Sequence, residues 1–472
     1  MSLNTRYVRF SGRLIMVGFG SIGQGVLPLL LRHIEMSPEQ ITVIAAETAG
    51  HAETVLYGVE FVHAEITRKN YVKVLEPRLK QGDFLVNLSV DVSSVALIEL
   101  CHRLGVLYID TCIEPWIGGY TDPDLTPSQR SNYALREAAL RLRREYGAGP
   151  TAVVTHGANP GLVSHFVKQA LLNIAVDTGF STDTPTDRAG WAALAQGLGV
   201  KVIHVAERDT QVSKIPKQVG EFVNTWSIDG FVGEGCQPAE LGWGSHEKAL
   251  PPDGHRHEFG SDAAIWLARP GASTKVRSWT PLEGAYHGFL ITHNEAISIA
   301  DYYSVKEGDQ VVYRPTCHYA YHPCDAAVLS LHEFAGKTWT LQPQKRLIVE
   351  DIVSGIDELG VLLMGHEKGA YWYGSQLSIE EARQLAPYNN ATSLQVTSPV
   401  LAGVIWAIEN PARGIVEPDE MDFKRVLDIC RPYLGPVLGA YSDWTPLDKR
   451  GELFAEDIDT DDPWQFKNFR IV

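Results

Sequence analysis

The stretch Leu14-Ile-Met-Val-Gly-Phe-Gly-Ser-Ile-Gly-Gln-Gly25 constrains this 472-residue chain more than any other. Four apolar residues stop abruptly at Gly18-x-Gly20-x-x-Gly23, and a helix-like pattern runs from Val26 to His33. A buried strand, a glycine turn and a helix, in that order, make a cradle for a dinucleotide pyrophosphate. Gly18 permits the tight turn, Gly20 lets the backbone approach the phosphates, and Gly23 lets the helix pack on the strand. Ser21 and Ile22 open the helix, whose N-terminus supplies free N–H donors and a positive dipole. An ordinary glycine-rich βα turn has the same pattern, so the rest of the chain must decide.

The alternation that follows favours the dinucleotide. Residues 40–47 read as a second strand, and an acidic residue at the end of that strand usually holds the adenosine ribose hydroxyls. Glu47 is the candidate, three positions beyond Ile44; no Arg or Lys follows until Arg68, which favours NAD over NADP. Strands are predicted at 59–64, 83–89, 106–110 and 151–155, with helices at 71–80, 95–104 and 132–146. This βαβ alternation is a parallel, doubly wound sheet of Rossmann type. Ligands lie at the carboxyl ends of such strands, which puts Ser89, Val90, Asp91, Asp110, Thr111 and Glu114 on the cofactor side.

Past a loose stretch at 178–187 the texture changes. Alternating strands at 202–206, 221–227, 276–279 and 287–292 predict a second, α+β domain with a largely antiparallel sheet. An apolar helix is expected within 391–407, and the acidic run 456–462 reads as a surface strap.

Composition excludes several classes. A net charge of −16 argues against nucleic acid or an anionic membrane and is compatible with a cationic ligand. The six cysteines have no framework spacing, so a reducing cytoplasm is the expected location. The first strand begins too early for a signal peptide, and no run of about 18 apolar residues predicts a membrane span.

Three clusters carry possible chemistry. Asp110-Thr-Cys-Ile-Glu-Pro-Trp116 follows a sheet strand and so lies near the nicotinamide end of a bound dinucleotide. Glu114 there is suited to bind an ammonium or move a proton, and an acidic loop is the plain alternative. Ala158-Asn-Pro-Gly161 offers the Asn159 amide as donor and acceptor, or simply a turn. The third cluster is distributed over Glu207, Asp209, Trp226, Glu234, His293 and Glu295. Carboxylates near an indole suit an alkylammonium, since the ring face adds roughly 0.5–2 kcal/mol of cation–π attraction. His293 is suited to proton shuttling; each of these residues is equally readable as structural. Cys317-His318 and His322-x-Cys324 do not have zinc-site spacing and read as a packed Tyr/His-rich loop, so no metal is expected. No Gly-x-Ser-x-Gly elbow is present.

Taken in order, the glycine loop, Asn87-Leu-Ser-Val-Asp91, Glu114-Pro-Trp116, Gly157-Ala-Asn-Pro-Gly161, Ala206-Glu-Arg-Asp-Thr210, Val223-Asn-Thr-Trp226, Thr292-His-Asn-Glu295 and Thr316-Cys-His-Tyr-Ala-Tyr-His-Pro-Cys324 resemble blocks of the bacterial homospermidine synthase family. The resemblance covers nearly the whole chain. It implies a saccharopine dehydrogenase-like fold: an NAD-binding domain over 1–155, a substrate and dimerisation domain over 156–385, and a segment, 386–472, whose late helix returns to the cofactor. One position departs, because Ala45 stands where the family pattern has an aspartate. The implied reaction oxidises putrescine to an imine by hydride transfer to NAD, releases ammonia as a second putrescine adds, and reduces the Schiff base with the same hydride. Spermidine is a further possible substrate, the cofactor is held tightly, and the enzyme is a cytoplasmic homodimer. Trp226 would stabilise cationic intermediates; Glu207, Glu234 and Glu295 would hold ammonium groups. Asn159, Glu114 and Asp91 would line the hydride face, with Cys112 and Pro160 beside the cofactor and His293 moving protons. A saccharopine- or carboxyspermidine-type dehydrogenase is the alternative enzyme. Its carboxylate substrate would call for Arg or Lys in the pocket. A non-enzymatic NAD-sensing protein is the other alternative.

Overall fold

The computed structural model describes residues 4–472. The first layer is a seven-stranded, all-parallel sheet. Its strands are β1 (Leu14–Val17), β2 (Ile41–Ala45), β3 (Glu60–His63), β4 (Phe84–Asn87), β5 (Leu107–Asp110), β6 (Ala152–Val153) and a late seventh, Ile415–Val416. The spatial order β3-β2-β1-β4-β5-β6, with Ile415–Val416 outside β6, reverses beside β1, where a doubly wound sheet opens its ligand crevice. Strands β1, β2, β4 and β5 are buried along their whole length, which is why they read as unbroken apolar runs.

Helix α1 (Ser21–His33) leaves the glycine turn, and the late helix α2 (Ala391–Glu409) packs against it. Gly25 makes that approach possible: a Cβ there would sit 2.5 Å from Asn389 Oδ1, and the Asn389 amide donates to the Gly25 carbonyl at 3.2 Å. Helix α2 is long and apolar enough to cross a membrane, contrary to the expectation that no such segment exists. It is a core helix instead, with 89% of its apolar window buried inside the protein.

The second layer is an eleven-stranded mixed sheet. At its centre β7 (Val202–Asp209) pairs in parallel with β8 (Thr316–His322) and antiparallel with β9 (Ile356–His366). Three sequence expectations are corrected here. Residues 316–322 are a central strand rather than a loop, because Cys317, Tyr319 and Tyr321 alternate with His318 and Ala320 across its two faces. Only Glu221–Asn224 of the predicted 221–227 strand forms, in a separate two-stranded pair with Gln344–Leu347. The helix at 71–80 stops as α-helix at Leu75 and tightens to a 3₁₀ turn over Glu76–Arg78, where Pro77 cannot continue the ladder. The acidic tail is tied down by Lys248–Asp459 and Lys201–Asp462 ion pairs, and Arg470–Ile471 then adds a short strand to the large sheet.

Candidate active site

Two connected clefts share Ile22, Leu88, Ser89, Val90 and Ser227. The outer cleft runs over the glycine turn, and the inner one dips between the two sheets. In the outer cleft Gly18 adopts φ +88°, and a Cβ there would lie 2.7 Å from the Leu88 carbonyl and the Ser89 nitrogen. A Cβ on Gly23 would meet the Gly18 carbonyl oxygen at 2.9 Å, whereas a Cβ on Gly20 would meet nothing within 4 Å. The turn is thus closed beneath and open above, and only the position facing the cleft has room over it. That arrangement fits a dinucleotide pyrophosphate. Ser21, Glu47 and Asp91 also line this cleft. So does Arg68, which the fold carries to the same end as Glu47 despite their separation in sequence.

Thr111, Cys112, Glu114, Asn159, Pro160, Glu207, Trp226, Glu234 and His293 line the inner cavity together. Residues from five separate stretches of chain therefore meet in one place. The loop after β5 brings Glu114, whose backbone N–H donates to Ser94 Oγ at 3.0 Å, while the Asp91 N–H reaches Glu114 Oε2 at 3.4 Å. Burial, and then the nearby Glu234 carboxylate, push the Glu114 carboxyl up to about 8. Asp110, expected on the cofactor side, turns inward instead: it accepts from the Thr155 N–H at 2.6 Å and the Tyr108 hydroxyl at 2.8 Å, and so fixes the start of the 155–161 loop. That loop presents Asn159, whose amide donates to Glu207 Oε2 at 3.1 Å.

Glu207 lies on β7 and is 3% exposed. Its Oε2 also accepts from Tyr319 Oη at 2.5 Å, across the parallel β7–β8 pair. Burial raises its proton affinity, and the neighbouring Asp209 carboxylate adds to the effect. Trp226 sits between the Glu221–Asn224 strand and the helix Ile228–Cys236, where the Asn224 amide donates to its carbonyl. The indole Nε1 donates to Tyr321 Oη at 3.0 Å.

His293 is held between carboxylates. Its Nε2 donates to Glu234 Oε2 at 3.0 Å, and its Nδ1 makes an ionic contact with Glu295 Oε1 at 3.3 Å. Burial alone would lower its proton affinity, but Glu234 and Glu295 reverse this and raise it to about 10, so the ring is an imidazolium. Glu295 itself does not line the cavity. It is 1% exposed, behind His293, so it positions the ring and does not touch a ligand in the cavity.

Sequence reasoning missed Tyr319, Thr392, Gln395 and Val396, which also line the inner cavity. Tyr319 lies on a strand with no polar–apolar alternation to mark it, and the helical positions of the other three carry no chemical signature.

The family model described as the saccharopine dehydrogenase NADP binding domain matches residues 14–153, and that of the saccharopine dehydrogenase C-terminal domain matches 157–440. A homospermidine synthase of Blastochloris viridis is 56% identical, over 98% of each chain. The chain belongs to the homospermidine synthase family. A second member, from Mesorhizobium japonicum, is 55% identical over 98% of this chain and 97% of its own. The solved homospermidine synthase of Legionella pneumophila, crystallised in complex with NAD, superposes with a TM-score of 0.92 at 51% identity, covering 99% of both chains. A yeast saccharopine dehydrogenase shares the fold alone, with a TM-score of 0.51 at 11% identity.

Proposed function

We propose that this chain is a homospermidine synthase, joining the aminobutyl unit of one putrescine to a second putrescine with release of ammonia. The observation that carries the reading is the lining of the inner cavity: Glu114, Glu207, Glu234 and Trp226 face it, and among the described residues no Lys or Arg does. A diamine finds carboxylates and an aromatic face there. A carboxylate-bearing substrate of the saccharopine type finds no cationic partner beyond His293, which is already paired twice.

In this reading NAD is held by the 18–23 turn, Glu47, Ser89, Val90 and Asp91, with Thr111, Cys112, Asn159 and Pro160 towards its nicotinamide. When bound, NAD supplies the redox chemistry, accepting a hydride from an amine-bearing carbon and returning it to a Schiff base.

The chain's own residues bind cations and move protons. Glu207 and Glu234 anchor ammonium groups at separate walls of the cavity. Glu114 ionises when an ammonium approaches, and its raised proton affinity lets it take a proton from that nitrogen with little penalty. Asn159, fixed by its hydrogen bond to Glu207, orients the reacting carbon. His293, protonated and 3.0 Å from Glu234 Oε2, supplies the proton that departing ammonia takes up, passed along the Glu234 carboxylate. Trp226 stabilises the iminium character that develops as ammonia leaves, by roughly 0.5–2 kcal/mol.

The test is incubation with putrescine and a trace of NAD. Homospermidine and ammonia formed in large molar excess over cofactor, without net NADH, support the proposal. NADH rising in step with product makes the chain a dehydrogenase, and no turnover with NAD bound leaves a binding protein.

A further inference from the structure

A separate cavity, of about 870 Å³, shares no lining residue with the two clefts and lies between the C-terminal strap and the Lys275–Thr280 strand. Its lining departs from the character of the chain. Arg269, Arg277, Arg450, Lys467 and Arg470 face four carboxylates, those of Asp253, Glu456, Asp457 and the terminal Val472, on a protein whose net charge is −16. Two of them are shared: Asp253 pairs with both Arg269 and Arg470, and Glu456 with both Arg450 at 2.6 Å and Arg277 at 3.8 Å, whereas Asp457 pairs with Lys467 alone. Two guanidinium donors, Arg450 Nε and Arg470 Nε, are buried with no acceptor, on side chains 9% and 10% exposed. Burial and then the adjacent Arg450 charge lower the proton affinity of Arg277, as expected where cations outnumber their partners. The remaining wall is apolar: Trp243 and Phe466 meet edge to face at 6.1 Å, and Leu250 stands 39% exposed at the rim.

We propose that this cavity is a binding site for an organic anion with an apolar body, an aryl or acyl carboxylate, sulfonate or phosphate ester. Its charged head lies between Arg277 and Arg450, and its body lies against Leu250 and the Trp243 wall. A buried guanidinium donor without an acceptor is costly, and an anionic head satisfies it with a charge-assisted hydrogen bond. An inorganic anion satisfies the guanidinium groups but leaves the apolar wall wet, so it binds more weakly.

The test uses the full chain saturated with NAD and putrescine, so that the catalytic clefts are filled, and titrates it with 8-anilinonaphthalene-1-sulfonate. The expected result is one saturable site per chain, weakened by added salt. Inorganic sulfate should compete only at far higher concentration. Arg277→Glu is expected to weaken the dye by about 10-fold or more, the scale of one charge-assisted hydrogen bond. Leu250→Asp, at the exposed rim and so harmless to folding, should weaken it as well, and neither variant should alter turnover. Three results would overturn the proposal. They are no saturable site, equal dye affinity in both variants and the parent, and dye excluded at concentrations where a second copy covers this face.

Discussion

Burial lifts the Glu114 carboxyl to about 8, with Glu234 adding to the rise, whereas Glu234 and Glu295 outweigh burial at His293 and hold its ring protonated up to about 10. In the empty cavity at neutral pH, Glu114 is therefore uncharged. A bound ammonium needs the ionised form, so below pH 8 diamine binding must release a proton. Calorimetry of putrescine binding in buffers of different ionisation enthalpy should detect that release at pH 7, and Glu114→Gln should abolish it. It follows that kcat/KM rises with pH towards about 8, with no inflection near the ordinary histidine value of about 6.5. The sign for stability is the reverse. A raised carboxyl favours the fold below its unfolded value, and the contribution is lost as pH rises through about 8. The substrate-free protein should thus lose thermal stability from about pH 4.5 to 8, and Glu114→Gln should flatten part of that loss. At Trp226, replacement by Ala should lower kcat by up to about 30-fold while leaving NAD binding intact, since the ring contributes through a cationic state. Unchanged turnover in a rate assay would remove that role.

The glycine turn between β1 and α1 makes a paired prediction. Gly18→Ala places a Cβ 2.7 Å from the backbone of residues 88 and 89 at φ +88°, and should cost about 1–3 kcal/mol of stability. Gly20→Val meets no protein atom at its Cβ, so the melting temperature of the NAD-stripped protein should hold while NAD affinity falls by more than about 10-fold. Thermal melts and equilibrium dialysis separate the two outcomes. Strands β1, β2, β4 and β5 were legible in sequence because each is an apolar run buried on both faces. Strand β8 was not, because its tyrosines and histidines face two different packed layers and so carry no polar–apolar alternation. The seventh strand, Ile415–Val416, is two residues long and exists only by pairing with β6. Glu114 and Asn159 were recognisable by residue type and strand-end position, and Glu207, Trp226, Glu234 and His293 by residue type alone. Glu295 was not separable from them, since sequence does not reveal which side of His293 a neighbouring carboxylate takes.

On the scale of the whole molecule, the cavity lies where the two sheets face each other, roofed by α2 through Thr392, Gln395 and Val396. A hydride that leaves one substrate carbon is kept there beside the carbon that later receives it. The cofactor need not exchange within a turnover, so purified protein should carry NAD, detectable by mass spectrometry after denaturation. The reaction requires that the same hydride return to the product. Putrescine fully deuterated at both amine-bearing carbons, incubated with unlabelled NAD and then analysed by mass spectrometry, should give homospermidine that retains all of its deuterium. Product one deuterium short, with the missing label in free NADH or solvent, would contradict it.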